Sequence, residues 1–138
     1  MESVAGARRI LVCDDTASIR DLIRINLELE GHVVEGAADA VTALHRLGDA
    51  HAEPVDLVLL DAHMAPLDGW WLIERIRERR SFQRLPVVLV SAALHAIDPA
   101  HAVAAGFDGV LAKPFDPDDL IEVVSRTTRA GEGPAQAP

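Results

Sequence analysis

The chain has 138 residues, 49% of them apolar and 25% charged, with 13 basic against 22 acidic side chains for a net charge of −9. That is one domain's worth of core-forming chain, and its acidity argues against a dedicated nucleic-acid binder, whose affinity comes largely from phosphate contacts. No apolar run approaches a bilayer span, no signal-peptide pattern follows Met1, and the single Cys13 excludes an internal disulfide framework, so the cytoplasm is the expected location.

Short apolar runs alternate with helical patterns. Ile10–Cys13 reads as a buried strand. Ile19, Leu22, Ile23 and Leu27 then recur at helical spacing, with Gly31 at the C-cap. Val33–Val34 is a weaker second strand, followed by a helix on Val41, Leu44 and Leu47 that Gly48 stops. Val55–Leu60 is the third strand, and a helix over roughly 69–80 carries Ile73 and Ile76. Pro86 opens the fourth strand, Val87–Val90. Asp98–Pro99 places an N-cap and a first-turn proline before a helix that runs to about Ala105. Val110–Ala112 is the fifth strand, and Asp116–Pro117 repeats the capping device before a helix on Leu120, Val123, Val124 and Thr127. Five βα units with continuous apolar strands imply a doubly wound α/β fold: a five-stranded parallel sheet covered on both faces by five helices. The expected organisation is an N-terminal extension over 1–7, one domain over 8–130 and a disordered Gly/Pro/Ala tail over 131–138.

In such a sheet the site lies outside the carboxyl ends of the strands. Asp14 and Asp15 follow the first strand, Asp61 the third, Ser91 the fourth and Lys113 the fifth. The chain holds twelve arginines and one lysine, so Lys113 calls for its own explanation. Three convergent carboxylates repel, and a hard divalent cation such as Mg²⁺, with Mn²⁺ as a substitute, relieves this. A carboxylate can also attack phosphorus to form an aspartyl phosphate. Phosphoryl transfer asks mainly for positioning and for neutralisation of the equatorial oxygens, which Lys113, the Ser91 hydroxyl and loop amides at Ala62 and Ala92 would supply. Asp61, alone at its strand end, is the expected nucleophile, with Asp14 and Asp15 holding the metal.

The matching segments are Ile10–Asp15, Leu57–Asp61, Met64–Gly69, Pro86–Ala92 and Ala105–Phe115. In that order they resemble the receiver domain of two-component response regulators, of the stand-alone chemotaxis-regulator type. The resemblance spans roughly residues 8–130. It implies a flavodoxin-like strand order 2-1-3-4-5 and a phosphoryl group received on Asp61 from a histidine kinase or phosphotransfer protein. Mg²⁺ would bind on Asp14, Asp15, Asp61 and the backbone carbonyl of His63. The resemblance further implies a cis bond between Lys113 and Pro114 and signalling by contact with a downstream protein, as monomer or weak dimer, without nucleic acid or membrane. Such a chain is a phosphoacceptor that assists its own phosphorylation and dephosphorylation, not an enzyme in the ordinary sense.

Three positions depart from the family pattern. Val110 stands where an aromatic residue usually turns inward, and the chain has no Tyr. His63 overhangs the acceptor, either as a group that tunes phosphoryl lifetime or as a solvated loop imidazole. Ala93 leaves its side of the pocket small. Elsewhere, Trp70 is expected to pack. Trp71 is expected to be exposed, as an interface anchor or lying flat on its own surface. Arg75, Arg77, Arg79, Arg80 and Arg84 are expected to form a solvated face. Ile19, Leu22 and Ile23 either dock a phosphodonor helix or belong to the core. Cys13 reads as inert core, and the six histidines show no metal-ligand spacing. The competing readings are a phosphate-independent receiver-like module, a receiver cut from a larger regulator, and a phosphatase working through an aspartyl phosphate. The last commonly carries a second carboxylate two residues after its nucleophile as acid/base, a position held here by His63, and a substrate-capping insertion that this sequence lacks.

Overall fold

The computed structural model describes residues 6–131. Strands β1 (Arg9–Cys13), β2 (Val33–Ala37), β3 (Leu57–Asp61), β4 (Val87–Ser91) and β5 (Gly109–Ala112) form one parallel sheet in the order β2-β1-β3-β4-β5. The helices between and after them are α1 (Ala17–Leu29), α2 (Ala40–Leu47), α3 (Gly69–Arg77), α4 (Pro99–Ala105) and α5 (Pro117–Gly131). This is the doubly wound arrangement that the alternation of strand and helix patterns implies. The tail over 132–138 lies outside the described residues, and α5 takes in Gly131.

Period-two alternation divides each strand between two cores. Ile10 and Val12 face α1 and α5, where they meet Ile23, Leu27, Leu120 and Val124. Leu11 and Cys13 face the other way, toward Ala43, Leu72, Ile76 and Phe107. All five residues of β3 and of β4 are buried, which explains why their sequences show no polar alternation. Each fully buried Leu or Ile contributes on the order of 1.5–3 kcal/mol.

Several boundaries differ from the sequence reading. Strand β2 extends to Ala37 because it pairs with the whole of β1, although Glu35 and Gly36 break its apolar run. Strand β3 begins at Leu57, not Val55, since its ladder with β1 starts opposite Ile10. Helix α3 stops at Arg77, with a separate 3-10 turn over Arg80–Phe82, because no apolar residue follows Ile76 at the next inward position. Helix α2 packs on Ala40, Ala43 and Leu47, so Val41 points outward and is 46% exposed. Small alanines let this helix lie close to the sheet, which sets the inward face. The expected caps Asp98 and Asp116 accept from the backbone N–H of Ala100 and Asp119, and Asp39 and Asp68, which the sequence reading did not single out, cap α2 and α3 by accepting from Thr42 and Trp71.

Candidate functional site

Register builds the site. Cys13 pairs with Leu60, Asp61 with Val90 and Ser91 with Ala112, so the carboxyl ends of β1, β3, β4 and β5 finish at one level. Asp61 and Ser91 are the last residues of their strands, Asp14 and Lys113 lie one residue beyond, and Asp15 lies two beyond. The ladder continues one step into the loops. The amide of Asp14 donates to the Ala37 carbonyl at 3.1 Å, that of Ala62 to Val90 at 2.9 Å and that of Lys113 to Ser91 at 2.9 Å. Asp14, Asp61 and Lys113 therefore hang from anchored backbone.

The carboxylates of Asp14, Asp15 and Asp61 each offer an oxygen within 4.8 Å of the others. Asp14 is 2% exposed and Asp61 5%, whereas Asp15 lies open to solvent. Lys113 Nζ bridges the two buried acids, 2.8 Å from Asp14 Oδ2 and 3.4 Å from Asp61 Oδ2. Burial alone would push the Lys113 ammonium toward its neutral form. Its bond to Asp14 and the charge of Asp61 outweigh this and hold its pKa above the usual lysine value. The remaining oxygens are also met: Asp14 Oδ1 accepts from the Thr16 amide at 2.9 Å and Asp61 Oδ1 from the His63 amide at 3.2 Å. Asp15 has the weakest hold, a 3.4 Å contact from the Thr16 hydroxyl.

Of the two loop amides expected to face a phosphoryl group, that of Ala62 is taken up by the sheet ladder. The amide aimed at Asp61 is that of His63, whose residue is exposed at the mouth. Ala92 is also exposed at the mouth. The buried Ser91 hydroxyl accepts from the Ala93 amide at 3.0 Å. The Lys113–Pro114 bond is cis, and so is Ala65–Pro66 in the loop after Asp61, which the sequence reading did not anticipate.

Arg20 is a further residue that the sequence reading missed. Its Nη1 donates to the main-chain carbonyl of Asp14 at 2.6 Å, tying α1 to the peptide that carries Asp15. The only signal in sequence is an arginine beside Ile19 and Ile23 on a face otherwise turned inward. Other expectations are corrected. Trp71 is half-buried, with the Arg75 guanidinium 5.6 Å from its ring centroid, because the long Arg stem covers the indole. Arg77 is not solvated. It donates to the carbonyls of Gly106 and Phe82 and pairs with Asp108 at 2.9 Å. Leu22 is 43% exposed, whereas Ile23 and Leu27 are core. Val110 is 40% exposed on the face opposite the buried Leu111. Among the described residues the three aspartates are the one cluster suited to a metal, and no helix is long and apolar enough to cross a membrane.

The family profile of the response regulator receiver domain matches residues 10–125. The chain belongs to this family. A 14.6 kDa protein of Leptolyngbya boryana is 38% identical over 117 residues, which cover 85% of this chain and 87% of that one. The DNA-binding master regulator RpaA of Synechocystis is 32% identical over 131 residues, but the receiver spans only 52% of its length. Chemotaxis response regulator CheY4 of Vibrio cholerae superposes with a TM-score of 0.78 at 27% identity, covering 88% of this chain and 98% of that one. Receiver domains are phosphoacceptors that interact with histidine kinases or phosphotransfer proteins and bind Mg²⁺ at an acidic pocket. Asp14, Asp15 and Asp61 form an acidic pocket here, an all-oxygen donor set of the kind that suits a hard divalent cation.

Proposed function

We propose that Asp61 is the phosphoacceptor of this receiver. The observation that carries the reading is the single lysine, Lys113, bridging a buried Asp61 and Asp14 on a rim of three carboxylates. A carboxylate oxygen of Asp61 forms a bond to phosphorus as the bond from phosphorus to its donor breaks. The donor is a histidine nitrogen of a kinase or phosphotransfer protein, or the acyl oxygen of a small phosphodonor. Lys113 turns from Asp61 to a phosphoryl oxygen, and the Ser91 hydroxyl and the amides of His63 and Ala92 meet the others. Asp14, Asp15, Asp61 and the His63 carbonyl would hold Mg²⁺, or Mn²⁺ in its place, which would supply positive charge against the phosphoryl oxygens. His63 and Ala93, at the mouth, set how readily water reaches the acyl phosphate. The phosphorylated receiver acts through contact with another protein.

The test is intact mass after incubation with acetyl phosphate, with and without Mg²⁺. One base-labile phosphoryl adduct is expected, requiring Mg²⁺ and lost in Asp61→Asn. A folded protein that takes no phosphoryl group from acetyl phosphate or from a kinase would turn the reading toward a phosphate-independent binding module.

A further inference from the structure

Two lines of contact, one from the Asp61 loop and one from Ser91, lead from the rim to α4. The first is rigid. The Gly69 amide donates to the Ala62 carbonyl at 3.1 Å, and a Cβ at position 69 would lie 2.5 Å from the Asp61 carbonyl oxygen. Only glycine lets α3 begin this close to the acceptor. The next residue, Trp70, is therefore fixed relative to Asp61. Its indole meets Phe107 edge-on at 5.3 Å and His101 of α4 at 5.0 Å.

The second line can yield. The Ser91 hydroxyl holds the Ala93 amide, and a 3-10 turn over Leu94–Ala96 leads to the Asp98 cap of α4. A hydroxyl that turns toward a phosphoryl oxygen on Asp61 releases Ala93 and with it the entry to α4. The far end of α4 is held. The Gly106 carbonyl accepts from Arg77 Nε at 3.0 Å and Nη2 at 2.7 Å. Phe107, just beyond it, is 5% exposed. The helix is thus pinned at Gly106 and led by the loop at Asp98, with His101 between. Trp70 and His101 both line shallow surface clefts open to solvent, so their contact lies at the surface and not inside the close-packed core.

We infer that the Trp70–His101 contact is the joint through which occupation of Asp61 is passed to α4, in a chain whose fifth strand carries no aromatic residue. The inference rests on the acceptor reading. The contact belongs to the arrangement in which Ser91 holds Ala93, so breaking it raises the fraction of molecules in the arrangement that takes the phosphoryl group, and the rate of adduct formation rises with that fraction.

The experiment uses the full chain as Trp71→Phe, which leaves Trp70 as the one indole of the two in the sequence. Acetyl phosphate and Mg²⁺ are added, adduct is followed by intact mass, and the Trp70 indole N–H and His101 ring signals are followed by NMR. Both sets of signals should move as adduct forms. His101→Ala should form adduct about two- to tenfold faster, the span of one aromatic contact. His101→Phe, which keeps a ring, should stay near the parent rate. Adduct with unmoved ring signals, or equal rates for parent and His101→Ala, overturns the joint and leaves the acceptor reading intact. No adduct in the parent removes both.

Discussion

The acceptor rim and the α3–α4 flank sit side by side but are built differently. On the rim, every functional group hangs from a strand end, and the register of a parallel sheet levels those ends. On the flank, contact depends on side chains reaching between helices: Arg77 to Gly106, Trp70 to His101, Arg75 over Trp71. Placement that follows backbone geometry tolerates change around it. Placement by long side chains does not.

The largest separation of the two regions should come from Arg77→Ala. The side chain is 17% exposed and serves three acceptors, and its removal takes the Arg77 donors from the Gly106 carbonyl and from Asp108, while the Phe82 carbonyl keeps the Leu85 amide. A loss of roughly 2–4 kcal/mol is expected in urea unfolding, while the folded variant still takes one phosphoryl group on Asp61. A variant that is destabilised and also fails to phosphorylate would join the two regions into one unit. Next is Arg20→Gln, which acts on the rim alone. Loss of the bond to the Asp14 carbonyl loosens the peptide leading to Asp15, the least anchored of the three acids. Calorimetry should show Mg²⁺ affinity weakened by up to about tenfold, with thermal stability without Mg²⁺ little changed and partial recovery in Arg20→Lys. Equal affinity would mean that the rim needs no such tether.

The smallest effect lies at the opposite end of the sheet and serves as a control for both. His32 Nδ1 accepts from the Arg8 amide at 3.0 Å. Burial, and then the charge of Arg8, lowers its pKa from the ordinary 6.5. The fold therefore favours the neutral imidazole. That contribution is complete above pH 6.5 and is lost as pH falls through the lowered value. Unfolding titrations should show a shallow decline in this window that His32→Gln abolishes, with acetyl phosphate reactivity per folded molecule unaffected by that substitution.

The same contrast explains what could be read from the sequence. Asp14, Asp15, Asp61, Ser91 and Lys113 were legible because each follows an apolar run, and the run's end tells where the sheet stops. The caps at Asp98 and Asp116 were legible because each acts within four residues. Val41 was placed on the wrong face because small alanines, not the largest apolar residue, set how α2 approaches the sheet. Arg77 and Trp71 were placed in solvent because nothing local shows that a neighbouring chain segment or an arginine stem covers them. Arg20 was passed over because its partner is a main-chain carbonyl, and a sequence carries no mark of which carbonyls lack a partner. The Ala62 amide was assigned to the site because loop amides look alike until the ladder shows which one the sheet takes.

Cys13 carries one more consequence. Its thiol is sealed in the core one residue before the acidic rim, and burial, reinforced by Asp14 and Asp39, pushes its pKa up, so the reactive thiolate is scarce in the closed protein. Alkylation of this chain at neutral pH is therefore a clock for the opening of β1. It ticks only when the end of β1 comes loose from β2 and β3, and whatever braces Asp14 slows it.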